Sequence, residues 1–165
     1  MSELAGYERR GFLRSFLYYF SALALIGSTF VIFYATMARY LFNSPPFWGE
    51  EVAVVLFIWM GFTAAGLAIS NDWNVRVQVI DLILPARAGL VLRALLHLLA
   101  LFFLGVLLYH SVDVVELSLF GRLEATRWPA IVLTAALPTG LVLMLVFQTV
   151  LMWRTLTSLR AGPKA

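Results

Sequence analysis

Hydrophobic positions in this chain come in long unbroken runs, without the alternation that marks half-buried strands or amphipathic surface helices. Four runs reach the roughly 20 mainly apolar residues needed to cross a hydrocarbon core about 30 Å thick. They predict membrane spans over residues 16–38, 52–69, 90–109 and 130–153. The first two carry no charge, the third has Arg93 and His97 close to its start, and the fourth contains Pro138. The expected fold is all-α, an integral membrane protein whose residues 1–165 form one domain of four transmembrane helices.

The connections carry their own signals. Asn43-Ser44-Pro45-Pro46 cannot continue a helix, because proline removes a donor and clashes with the preceding turn. From Val75 to Leu84, helical spacing puts Val75, Val79, Leu82 and Ile83 on one face and Gln78 and Asp81 on the other, with Pro85 ending the run. That pattern predicts a short helix lying in the membrane interface between spans two and three. A strand through Val75, Val77 and Val79 is the weaker reading, since an unpaired edge in lipid is costly. Beyond Tyr109 the helical pattern continues through Phe120 to Gly121, so the third helix is expected to project past the hydrocarbon.

Composition agrees with the pattern. The chain is 62% hydrophobic and 13% charged, against about 25% charged in ordinary globular domains. A soluble fold has too few polar residues here to cover its surface. The net charge of +3 is mild and is read by position. With the N-terminus inside, nine basic residues (Arg9, Arg10, Arg14, Arg76, Arg87, Arg93, Arg154, Arg160, Lys164) fall on the cytoplasmic side and three (Arg39, Arg122, Arg127) outside. The bias predicts both termini in the cytoplasm. Trp48, Trp128 and Trp153 sit near span ends, where indoles favour the interface. The first run is too long for the apolar region of a signal peptide and lacks a small-residue cleavage site, so a retained span is expected. With no cysteine, disulfides, thiolate metal sites and iron–sulfur ligation are excluded.

Candidate chemistry is sparse. Arg39 closes the first span and Glu50-Glu51 open the second. Each suits the dipole of its helix end, and an ion pair of Arg39 with Glu50 or with Glu51 would tie the two ends together or hold a neighbouring subunit. His97, one turn deeper than Arg93, is read as a structural hydrogen-bonding group. His110 stands 13 positions further on, about 20 Å along a helix, so the two cannot share one metal or haem within a copy. Asp113 and Glu116 share a face and read as solvated. Pro138 and Gly140 interrupt the fourth span and predict a kink or a close-packing position. No carboxylate pair, nucleophile constellation, phosphate loop or zinc spacing is present, so neither an enzyme nor a cofactor is expected.

Several of these residues form a recognisable set. Arg39-Tyr40-Leu41-Phe42-Asn43 followed by Trp48-Gly49-Glu50-Glu51 resembles the small membrane subunit (Q-type) of tripartite ATP-independent periplasmic transporters. So do Phe57-Ile58-Trp59-Met60-Gly61-Phe62, Ala64-Ala65-Gly66, the stretch from Val75 to Leu84-Pro85, Trp128-Pro129 and Leu137-Pro138-Thr139-Gly140. One departure is visible: many members carry histidine where this chain has Asn74. The resemblance covers about residues 16 to 155. It implies a multi-pass protein of the bacterial inner membrane, beside a large multi-span subunit that carries the substrate and sodium sites. It also implies a periplasmic substrate-binding protein that captures an organic acid. The small subunit is then a scaffold, with no substrate, nucleic acid or cofactor of its own. Arg39, Tyr40, Trp48, Glu50, Glu51, Trp59, Pro138 and Gly140 become candidate subunit-interface or structural residues.

Two other classes fit four spans. A haem-binding membrane anchor of a redox complex needs histidines at matched depth on different helices, whereas both histidines here fall on one. A self-sufficient homodimeric exporter needs a membrane-embedded carboxylate to couple protons, and the spans contain none.

Overall fold

A computed structural model describes residues 12–44, 46–70 and 86–161 of the chain. The expected interfacial helix over 75–84 and the Asn74 position lie outside the described residues, as do Arg9, Arg10, Arg76 and Lys164. The described elements are α1 (Phe12–Phe42), α2 (Gly49–Ser70), α3 (Ala86–Ser118), a single turn α4 (Ile131–Thr134) and α5 (Ala136–Ala161). Four helices are long and apolar enough to cross a membrane, and the all-helical fold expected from the sequence is the fold observed.

The helices overrun the predicted spans. The 31 residues of α1 and the 33 of α3 are each nearly 50 Å long at about 1.5 Å per residue, well beyond the hydrocarbon thickness. α3 ends at Ser118, short of the expected Gly121, where Leu119 and Gly121 turn back onto the carbonyls of Glu116 and Ser118.

Helix ends follow local chemistry. Past the end of α1, Asn43 takes a left-handed φ of 49° and Ser44 N–H donates back to the Ala38 carbonyl at 3.3 Å. A left-handed residue just past the last turn, with the following N–H turned back onto a carbonyl of that turn, is a common way for a helix to stop. Glu50 and Glu51 lie in the first turn of α2, the favourable end for anions. The α4–α5 interruption sits where Pro138 requires it. A proline ring excludes the carbonyl four residues back, and that residue, Thr134, is the last of α4.

The four long helices stand in an open row, in the order α1, α2, α5, α3. Among the described residues α1 packs on α2 alone, and α3 reaches only α5 and the α4 turn. Among the described helices no ring closes around an interior. The buried apolar residues lie along the seams of the row: Leu17, Leu67 and Phe147 form one cluster, with Ile69 and Leu143 against it. Most large apolar side chains face outward, among them Leu23, Phe30, Leu99 and Phe102. Such exposure is ruinous in water and ordinary in lipid.

Candidate functional site

The last turn of α1 and the loop 119–130 both reach the first turn of α2 at one end of the row, and the candidate charges converge there. Arg39, in the last turn of α1, donates from Nη2 to Glu50 Oε1 at 2.7 Å. The side chains remain 55% and 74% exposed, so the pair is worth about 0–1 kcal/mol to the fold itself. Glu51 turns elsewhere. Its Oε1 accepts Ala125 N–H at 2.7 Å, and its Oε2 accepts Thr126 N–H and the Thr126 hydroxyl, each at 2.8 Å. Two adjacent carboxylates on α2, about 100° apart around a helix of 3.6 residues per turn, thus serve two different neighbours. Glu50 binds α1, and Glu51 binds the loop that follows α3.

That loop is a small hairpin. Leu123 N–H donates to the Trp128 carbonyl at 2.9 Å and Ala130 N–H to the Gly121 carbonyl at 3.0 Å, around an antiparallel bridge between Arg122 and Pro129. At its tip Arg127 takes a left-handed φ of 60°, a conformation unusual for a residue with a Cβ.

The other candidate residues divide by depth. Trp48 is partly exposed and stacks on Tyr34, with ring centroids 6.3 Å apart, while Tyr40 is 79% exposed beside Arg39. Trp59 lies deeper and donates its indole N–H to the Val132 carbonyl at 2.8 Å, inside the turn just before the proline break. Gly140 is buried, and a Cβ placed on it would lie 2.5 Å from Phe62 Cβ. Pro138 and Gly140 therefore place a break and a close approach where α5 crosses α2.

Side-chain hydrogen bonds join neighbouring elements along the row. Ser21 and Thr63 hydroxyls meet at 2.8 Å between α1 and α2, and Trp59 links α2 to α4. Ser118 and Thr134 hydroxyls meet at 2.6 Å between α3 and α4. The Gln148 amide N–H of α5 donates to His97 Nδ1 of α3 at 2.8 Å. Helices in lipid gain little from burying apolar surface, so packing and such bonds hold them together. His97 has the structural role expected of it. Gln148 was missed, although an amide within an apolar span is itself a signal of a polar partner. His110 is 3.6 Å from Asp113 on an exposed face of the same helix as His97. Among the described residues, no three His, Asp or Glu side chains converge to hold a metal ion.

Residues 28–158 match the sequence family described as "Tripartite ATP-independent periplasmic transporters, DctQ component". The chain belongs to the DctQ family. The matched range includes Arg39, Tyr40, Trp48, Glu50, Glu51, Trp59, Pro138 and Gly140. Among DctQ relatives, the sialic acid TRAP transporter small permease protein SiaQ of Vibrio cholerae is 27% identical over 110 residues, covering 67% of this chain and 64% of that protein. The isethionate TRAP transporter permease protein DctMQ of Oleidesulfovibrio alaskensis is 26% identical over 106 residues. That match covers 61% of this chain but 17% of a much longer relative. The chain thus spans less than two thirds of the length of either relative. DctQ proteins are transporter components and not enzymes, in line with the absence of catalytic motifs from the sequence.

Proposed function

We propose that this DctQ-family chain is the scaffold subunit of a binding-protein-dependent secondary transporter. It stands beside a large permease in the bacterial inner membrane and binds no substrate itself. The observation that carries this reading is the open row. Helices in single file, with apolar side chains outward and polar groups spent on seam hydrogen bonds, offer no enclosed polar path among the described residues. Moving an anion through lipid needs such a path.

The substrate, held by partners, is an organic acid, and import is coupled to a sodium gradient. The names of the relatives, sialic acid and isethionate, support an organic anion, and extend the class beyond carboxylates because isethionate is a sulfonate. A periplasmic protein captures the substrate, and the row lies against the permease. The location of the DctQ-like segment within 17% of a longer permease chain supports this adjacency. Both termini lie in the cytoplasm, a reading supported by the nine-to-three distribution of basic residues. The loop end with Arg39, Glu50 and Glu51 then faces the periplasm, and its exposed ion pair is a subunit contact.

Proteoliposomes test the proposal. The chain alone should give no sodium-dependent uptake of any organic acid, while addition of the permease and the binding protein should restore it. Uptake by this chain alone would overturn the scaffold reading.

A further inference from the structure

The seam between α1 and α2 opens into a groove that none of the described residues fills. It has a volume of about 370 Å³ and is lined by Tyr18, Ser21, Ala22 and Leu25 from α1, and by Met60, Ala64, Leu67 and Ala68 from α2. Its walls are almost wholly apolar. Above Leu25 the concavity continues against α1 alone, past Thr29 to Phe33, without an α2 wall. The two-walled part therefore ends part-way along the helices.

Arg14 lies on the same stripe of α1. It precedes Tyr18 by four positions and Ala22 by eight, one and two turns at helical spacing, and its side chain is partly exposed. From Arg14 to Leu25 is 11 positions, about 16 Å along the axis, close to half of a hydrocarbon core of about 30 Å. A cation at one end and an apolar trough one leaflet deep, whose second wall ends near Leu25, match the shape and charge of one lipid. We propose that the groove holds an acyl chain of an anionic glycerophospholipid, from the leaflet at the N-terminal end of α1, with its phosphate at Arg14. A partner helix crossing the whole membrane would need two walls along the full span. The lipid also has a structural consequence, because among the described residues α1 has only α2 as a helix neighbour, and a chain wedged in their seam braces it.

The full-length protein, purified alone, supplies the test. Photoactivatable phosphatidylglycerol with a diazirine on its acyl chain should label peptides containing residues 18–25 and 60–68 above all others. In native mass spectrometry, phosphatidylglycerol should be retained in preference to phosphatidylcholine. Arg14→Ala should cut that preference about fivefold, the effect of one basic residue near an anionic headgroup. Ala64→Trp, which fills the trough, should remove the labelling of residues 18–25. Because the tryptophan could disturb packing, Arg14→Ala, at the exposed end, carries the headgroup half of the test independently. Uniform labelling along α1 and α3, or equal retention of both lipids by the wild type and Arg14→Ala, would overturn the proposal. So would a complex with the large permease in which residues 18–25 crosslink to that subunit and the lipid label is lost.

Discussion

Glu51 and Thr126 lie 75 positions apart and are joined twice, the Glu51 carboxylate accepting both the backbone N–H and the hydroxyl of Thr126 at 2.8 Å. With Ala125 N–H on the other oxygen, one side chain of α2 organises the tip of the hairpin that joins α3 to α4. Glu51→Ala should therefore expose the amides of Ala125 and Thr126 to solvent. Hydrogen exchange at those two amides should accelerate, and the thermal midpoint should fall further than for Glu50→Ala. Equal exchange in the two variants would mean that the hairpin holds its shape without the carboxylate.

The Arg39–Glu50 pair should behave in the opposite way. Both side chains are largely exposed, so Arg39→Ala should change the stability of the isolated chain by only about 0–1 kcal/mol. If the pair is a subunit contact, Arg39→Ala and Glu50→Ala should each reduce co-purification with the large permease, and Arg39→Glu combined with Glu50→Arg should recover part of it. Substrate capture by the periplasmic protein should not change. Full assembly and uptake in both neutralised variants would leave these charges a helix-end role only.

Gly140 is required by contact. A methyl group there meets Phe62 Cβ at 2.5 Å and its ring atoms at 3.0 Å, and overpacking of this kind costs about 1–3 kcal/mol. Gly140→Ala should lower the unfolding midpoint in mild detergent. Gly61→Ala and Gly105→Ala, where no atom lies within 4 Å of the added methyl, should leave it unchanged.

The Gln148–His97 hydrogen bond joins α5 to α3 within the apolar zone. Inter-helix side-chain bonds in lipid average about 0.6 kcal/mol and reach about 1.7. A double-mutant cycle of Gln148→Leu and His97→Phe should return a coupling in that range. A coupling of zero would assign the association of α3 with α5 to packing alone.

Topology is tested by single cysteines in a chain that has none of its own. Cysteines at Asn43 and Gly121 should react in intact cells with an impermeant thiol reagent, and cysteines at Asn71 and Ala161 should not. Labelling at Asn71 would invert the arrangement.

The four crossings were legible in the sequence because lipid leaves the backbone no partner but itself, so an apolar run of sufficient length has to be a helix. An interruption of the fourth span was legible from Pro138, though not its place at Thr134, and the charges at Arg39, Glu50 and Glu51 marked helix ends through the dipole. What sequence alone left open was which glutamate Arg39 takes. That choice depends on the rotation of α2 against α1, set where the two approach so closely that a Cβ on Gly49 would lie 2.9 Å from Ala35 Cβ, and on where the distant hairpin comes to rest. The order of the row was equally hidden. In a soluble helix the apolar stripe points to the core, but here the lipid-facing and protein-facing sides share one chemistry, and periodicity carries no direction. Only the tertiary structure decides that α5 inserts between α2 and α3. It does so through contacts a few residues wide, Gly140 on Phe62, Trp59 on Val132 and Gln148 on His97, which no local pattern encodes.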